Sequence, residues 1–339
     1  MTDTILALAP VVIFLAALSL MDTFRLVRPY AIAGAIAWGA LAAVVSLGLN
    51  EWLLKSVHVP LPLVRRLIAP AAEETAKALL VGALIVSARI AFLVDAAVYG
   101  FAVGTGFALV ENLWYLGSIG DASISVWIVR GFGTAILQGA TTTIVAIVGR
   151  TLADRHPSRA AAWCLPGLAA AIAIHSAFNA NVLPPVAETL LLLIALPVIV
   201  VLTFERSERA THEWIGSGLD LDLALHELMQ SGDFAFTRFG RYLQELRERL
   251  PGPVVADMFC LLRLDIELSI QAKAVLLARE AGLELPPSAD LDAALDERQF
   301  LQQSIGVAGL LAIQPLQVTS DRDAWHRHVL RRQARPKTP

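Results

Sequence analysis

Seven stretches of almost continuous apolar residues, separated by short polar connections, fill residues 1–204, and beyond them the pattern changes. The stretches cover about residues 4–21, 30–50, 67–87, 91–116, 125–149, 161–181 and 186–204. At a rise of ~1.5 Å per residue, each is long enough to cross a hydrocarbon core of ~30 Å with help from its flanks. A lipid-facing backbone has to satisfy its own hydrogen bonds, which leaves helices as the fitting elements. The pattern predicts an all-α fold, a polytopic transmembrane helical bundle of about seven spans. From residue 205 the apolar positions recur at helical spacing among charges: LDLALHELMQSGDF, then FTRFGRYLQELRERL ending at Pro251, then VVADMFCLLRLDIELSIQAKAVLLAREAG ending at Gly282, then Leu291 to Ile313. This predicts a C-terminal soluble helical domain over 205–339, following a membrane domain over 1–204.

Composition agrees with this division. The chain is 56% apolar and 17% charged with mean hydropathy +0.62, which excludes a disordered or collagen-like chain and an ordinary soluble enzyme. Residues 1–204 hold 11 Lys+Arg and 10 Asp+Glu, against 16 and 20 in residues 205–339. Neither half is basic enough to suggest nucleic acid. Cys164 lies in an apolar stretch and Cys260 in the charged half, so no disulfide framework is expected. The first stretch has Asp3 and no Lys or Arg before it, and no small-residue cleavage site precedes Arg25, so it reads as a retained helix.

Loop charges predict the orientation. With the N-terminus outside, Arg25, Arg28, Arg89, Arg150, Arg155, Arg159, Arg206 and Arg209 are internal, against Lys55, Arg65 and Arg66 outside. That puts the protein in the cell membrane with residues 205–339 in the cytoplasm. Residues 51–66, interrupted by Pro60, Pro62 and two arginines, make a poor span and are expected at the outer interface, with the next helix entered at Pro70. Gly100 and Gly104 form a G-x-x-x-G pattern beside Gly106, which predicts close helix packing.

A charged group at mid-bilayer costs roughly 2.5–3.5 kcal/mol on insertion scales, so each needs a partner or a task. Glu73, Glu74, Lys77, Asp95, Glu111, Arg130 and His175 lie within or at the ends of the apolar stretches. On the predicted topology all but Asp95 fall at similar depth toward the outer side. Glu73 and Lys77, Phe107 and Glu111, and His175 and Asn179 are i,i+4 pairs, so each pair shares a helix face and three faces can line one polar cavity. Two adjacent carboxylates in low dielectric repel, so one of them can take a proton at neutral pH, as a general base must. Lys77, or Arg130 across the bundle, can hold the partner glutamate ionised. Taken singly, the motifs have plainer readings. Glu73-Glu74-x-x-Lys77 fits the wet mouth of an interfacial helix, Glu111-Asn112 a helix end, His175 an interhelical hydrogen bond, and Arg130 a structural counter-ion. Asp95 is expected to pair with Arg89 or another group at the inner rim. In the C-terminal half, His326-x-His328 fits a solvated end, and Arg327, Arg331, Arg332 and Arg335 a basic tip.

E-E-x-x-K (Glu73, Glu74, Lys77), F-x-x-x-E-N (Phe107, Glu111, Asn112) and H-x-x-x-N (His175, Asn179) follow one another on separate stretches. In this order they resemble the PrsW family of intramembrane proteases, relatives of the CAAX prenyl endopeptidases, over roughly residues 67–181. The resemblance implies glutamate-dependent hydrolysis of a peptide bond in a membrane-anchored protein, anti-sigma-factor-like, within the lipid bilayer and without a cofactor. It also implies roles. Glu73 or Glu74 is the general base, His175 and Asn179 stabilise the oxyanion, and Glu111 orients water or His175, with Lys77, Asn112, Arg130 and Gln138 in support. Family members often carry a further His on the span after F-x-x-x-E, where residues 130–149 here offer Gln138, a residue that can still donate a hydrogen bond.

Two alternatives remain open from sequence. Glu73, Glu74, Glu111 and His175 supply oxygen and nitrogen ligands of the kind zinc takes, although H-E-x-x-H is absent. A non-proteolytic membrane protein, either a proton-coupled transporter or an inactive relative that acts by binding, also accounts for buried acids, although no internal repeat is found. The C-terminal domain is expected to serve regulation, self-association or a cytoplasmic partner.

Overall fold

The computed structural model describes residues 2–22, 27–119, 122–155, 162–283, 285–286, 288, 290–313 and 329–330. Arg25 and Arg159 of the loop-charge argument, the His326-x-His328 pair and the basic tip Arg327, Arg331, Arg332 and Arg335 lie outside the described residues. Among the described residues every regular element is helical. In chain order they are α1 (Thr2–Leu20), α2 (Pro29–Lys55), the single turn α3 (Leu61–Leu63), α4 (Ala69–Val86), α5 (Leu93–Ser118), α6 (Ile124–Ile128), α7 (Ala135–Arg155), α8 (Cys164–Asn179), α9 (Pro185–Ser231), α10 (Arg238–Leu246), α11 (Gly252–Glu280) and α12 (Leu291–Ile313). Two π-helical segments, Val64–Ile68 and Val129–Thr134, join α3 to α4 and α6 to α7.

Among the described residues five helical runs are long and apolar enough to cross a membrane: Thr2–Leu20, Pro29–Lys55, Leu93–Ser118, Ile124–Ala153 and Pro185–Ser231. The chain is a polytopic helical membrane protein. α8 is a shorter apolar helix of 16 residues, and α4 is an 18-residue helix interrupted by three charged side chains. The chain divides into two compact units, Met1–Ser207 and Glu208–Pro339.

In the first unit α5 forms the centre, with Phe101, Val103 and Phe107 buried on it. Its glycines fix how closely its neighbours pack. A Cβ on Gly100 would strike the backbone of Thr142 and Thr143, and one on Gly104 the backbone of Gln138 and Gly139 in α7. A Cβ on Gly106 would meet Ile36 in α2, and Gly39 of α2 abuts Val103 in the same way. The close packing expected of Gly100, Gly104 and Gly106 is therefore main chain against main chain. Asp95 Oδ2 accepts the N–H groups of Ala91 and Phe92 at 3.0 and 3.2 Å. The Asp95 carboxylate thus closes the N-terminus of α5, where unsatisfied N–H groups and the helix dipole favour negative charge.

The run expected to start at Pro70 starts earlier, at Leu61, and passes through the π segment into α4. A π turn bonds each N–H to the carbonyl five residues back, as Ala69 N does to Val64 O. By that register Pro70, which has no N–H, leaves the Arg65 carbonyl without a helical donor. Asn179 Nδ2 takes it at 3.1 Å, so the proline that would end a helix is absorbed by a side chain from α8. Residues 51–55 extend α2, so the expected interfacial segment is confined to the short connection after it.

In the second unit, Lys273 is fully buried, with Nζ 2.6 Å from Asp222 Oδ2 and 5.2 Å from the Trp214 ring centre. Arg298 of α12 pairs with Asp265 of α11, and Tyr242 OH of α10 donates to the Ala312 carbonyl at 2.9 Å. The last apolar stretch, expected to end at 204, has no helix-stopping residue after it and continues as α9 to Ser231, where Gly232 at φ 82° closes it. α10 stops at Leu246, short of Pro251.

Candidate active site

Four elements meet at one end of the first unit. α4 brings Glu73, Glu74 and Lys77 near its start, α5 brings Glu111 and Asn112 near its end, α7 and the π segment before it bring Gln138 and Arg130, and α8 brings His175. Apart from Asn179, the residues singled out from sequence form one connected polar network.

Glu74 is sealed, with no exposed side-chain surface. Its Oε1 accepts Lys77 Nζ at 2.8 Å, His175 Nδ1 at 2.7 Å and Thr141 Oγ1 at 3.0 Å. Its Oε2 is buried with no hydrogen-bond partner among the described residues. Lys77 is equally buried; its ammonium also donates to Gln138 Oε1 and lies 5.1 Å from the centre of the Phe107 ring, which explains the phenylalanine of F-x-x-x-E as a cation–π partner. Because Glu74 claims Nδ1 of His175, the other ring nitrogen faces Glu73, with Nε2 3.8 Å from Glu73 Oε2. That separation is too long for a direct hydrogen bond and suits a bridging oxygen.

Glu73 is the more accessible of the adjacent pair, with 12% of its side-chain surface exposed against none for Glu74. Two amides touch it loosely: Asn50 Nδ2 lies 3.5 Å from Oε1 and Gln138 Nε2 3.5 Å from Oε2. Glu111 is held at both oxygens, Oε1 by Arg130 Nη2 at 3.2 Å and Oε2 by Gln138 Nε2 at 3.0 Å. Both cations offered by the sequence as glutamate partners are used, Lys77 for Glu74 and Arg130 for Glu111. The Arg130 guanidinium also lies 3.5 Å from the Tyr115 ring centre and donates through Nε to Asn112 Oδ1 at 3.0 Å, while Asn112 Nδ2 donates to the Ala7 carbonyl of α1 at 2.7 Å. Glu111-Asn112 is thus a junction of three helices and not a plain helix end.

The π segment makes this grip possible. Arg130 and Gln138 are eight residues apart, which in a straight α-helix is about 800° of turn and leaves them about 80° apart around the axis. Absorbing one residue in a π turn leaves about seven α steps, roughly 700°, and brings the two to within about 20° of one face. Each then reaches one oxygen of Glu111. Sequence periodicity assumes a uniform 3.6 residues per turn and has no means of seeing that shift.

Asn50 and Thr141 were not found from sequence. Asn50 closes the second apolar stretch, and Thr141 opens the Thr141-Thr142-Thr143 triplet one turn beyond Gln138, a polar run in an otherwise apolar stretch. Asn179 stands one turn beyond His175, and its amide is engaged by the Arg65 carbonyl.

Apolar helices long enough to cross a membrane, with a polar network buried among them in which paired glutamates face a histidine, define a polytopic helical membrane protein with its ionisable groups gathered in one cluster. Residues 28–203, more than half of the chain, match the family described as PrsW family intramembrane metalloprotease. The chain belongs to that family, and with it to the intramembrane proteases. No curated protein and no solved structure matches it.

The family description implies a metal, and the donor set can be tested against one. Zinc takes N, S and O ligands in open lone-pair positions. Here the lone-pair side of Glu74 Oε1 is filled by three donors, one of them the Lys77 ammonium, which already supplies a cation inside the cluster. His175 is the one histidine of the cluster, and among the described residues no group of three His, Cys, Asp or Glu side chains has the geometry of a metal site. Glu74 Oε1 is thus closed to a metal, while His175 Nε2, Glu73 and Glu74 Oε2 keep donors of the kind zinc takes, so the family description's metal is compatible with the site.

Proposed function

We propose that the chain is an intramembrane endopeptidase of glutamic type that hydrolyses a peptide bond of a membrane-anchored protein with water activated by Glu73. The supporting observation is the division of labour in the glutamate pair. Glu74 is sealed and fixed by Lys77, His175 and Thr141, whereas Glu73 is loosely held, accessible, and faces His175 Nε2 across 3.8 Å. A general base has to reach both water and the scissile carbonyl, and the accessible carboxylate meets that need.

Glu73, Glu74 and Glu111 are balanced by two fixed cations, Lys77 and Arg130, so a proton on His175 brings the network to neutrality. In the reaction Glu73 takes a proton from water as its oxygen attacks the carbonyl carbon. The imidazolium of His175, steered by Glu74, supplies a donor to the developing oxyanion. The proton held by Glu73 then passes to the leaving amine, so that water is divided between the new carboxyl and amino ends. Asn179, beside His175, is a second donor for the oxyanion once a substrate competes for its amide. The topology carried into this reading has the N-terminus outside, about seven spans, the site toward the outer side, and a cytoplasmic domain over 205–339. An anti-sigma-factor-like substrate rests on the family resemblance.

The test is cleavage of a panel of single-span membrane proteins by the purified, reconstituted full chain. Glu73→Gln abolishes cleavage while the protein stays folded and inserted, and a chelator leaves wild-type cleavage intact. Cleavage that survives Glu73→Gln, or that is lost to the chelator and restored by zinc, overturns the proposal.

A further inference from the structure

Gln138 belongs to none of the three motifs, yet its side chain touches three members of the network, as many as Glu74 does. It is fully buried on α7. Its side-chain oxygen accepts from Lys77, and its nitrogen lies 3.0 Å from Glu111 Oε2 and 3.5 Å from Glu73 Oε2. The two ends of an amide are usually hard to tell apart, but here the partners decide. An ammonium only donates and an ionised carboxylate only accepts, so Oε1 faces Lys77 and Nε2 faces the glutamates.

Glu73 Oε2, the oxygen that Gln138 touches, is also the oxygen facing His175 Nε2. One uncharged donor therefore lies between two carboxylates that would otherwise repel, and it turns the chosen oxygen of one of them toward the histidine. The main chain fixes Gln138 there: a Cβ at Gly104 would overlap its carbonyl, and Thr142 Oγ1 donates to that carbonyl at 3.0 Å. The 3.5 Å contact to Glu73 is loose, as catalytic hydrogen bonds often are before substrate closes the site.

Resting on the reading of Glu73 as the base, we propose that Gln138 is a positioning residue. It holds the Glu73 carboxylate in the orientation for attack, beyond its service to Glu111. Gln138→Glu tests this because it keeps the shape and the acceptor for Lys77 and removes the donor to both glutamates. In reconstituted full-length protein, kcat is expected to fall about 100-fold, the scale of a 1 Å misplacement, with KM unchanged within about twofold. The swap Gln138→Glu with Glu111→Gln restores a donor between positions 111 and 138 but none toward Glu73. It is therefore expected to recover thermal stability and to leave kcat low.

Wild-type kcat in Gln138→Glu, a change confined to KM, or full recovery of kcat by the swap overturns the proposal. If Gln138→Glu fails to insert, Gln138→Met, which removes the donor without adding a carboxylate and leaves Glu111 in place, carries the same readout. Wild type that cleaves and is silenced by Glu73→Gln, beside an unaffected Gln138→Glu, removes the role of Gln138 only; activity that survives Glu73→Gln removes the reading of the base beneath it.

Discussion

Lys77→Met asks what a buried ammonium contributes to this membrane protein. Met keeps the length of the side chain and removes its charge. In the native structure Nζ donates to Glu74 Oε1 at 2.8 Å and to Gln138 Oε1, and both side chains of the ion pair are fully buried. Removing one partner of a buried pair leaves an uncompensated charge and costs about 3–5 kcal/mol. Glu74 keeps its donors from His175 and Thr141, which offsets part of that loss, while the cation–π contact with Phe107 adds up to about 2 kcal/mol to it. A destabilisation of about 3–5 kcal/mol is expected overall. Glu74→Gln in the same protein removes the stranded charge, so the double variant should recover about 2–3 kcal/mol relative to the sum of the single changes. The assay is reversible unfolding in mixed micelles with rising SDS fraction, followed by tryptophan fluorescence. A loss below about 1 kcal/mol for Lys77→Met, or strict additivity in the double variant, refutes the argument.

Gly104→Ala drives a methyl group into the backbone of Gln138 and Gly139, and overpacking of this kind costs about 1–3 kcal/mol; thermal unfolding should register that loss, with cleavage falling alongside it as Gln138 moves. Asn112→Ala breaks the link from Arg130 through Asn112 to the Ala7 carbonyl and is expected to cost about 1–3 kcal/mol in the same unfolding assay. In the second unit, Lys273→Met strands Asp222 and should destabilise by about 3–5 kcal/mol, with Lys273→Met/Asp222→Asn recovering most of it by chemical denaturation.

Much of this was legible in the order of residues, because lipid imposes strict terms on a chain that crosses it. A run of apolar residues predicts its helix, and α12 begins and ends where its periodicity does, at Leu291 and Ile313, although the chain breaks at Gly306 (φ 64°), a kink the periodicity did not show. The intramembrane charges were equally visible, since each is expensive without a partner, and Glu73, Glu74, Lys77, Glu111, Arg130, Gln138 and His175 do meet. What stayed hidden depends on contacts between distant segments. Asn50 reads as the polar end of a span until α2 is seen against α4. Pro70 reads as a helix start until Asn179 is found satisfying the Arg65 carbonyl. The junction of α9 was missed for a different reason: nothing in FERSERATHEW stops a helix, and a change of polarity is not a change of backbone.

α8, which carries His175, has 16 residues and so rises about 24 Å, against about 30 Å of hydrocarbon. Taken as a span, it is too short for an undisturbed bilayer, and a mismatch of this sign is met by lipid thinning around the helix. Such thinning would bring the headgroup layer and its water toward the end of α8 that holds His175. A hydrolase in a membrane has to import its second substrate, and a span this short would shorten the way water has to come.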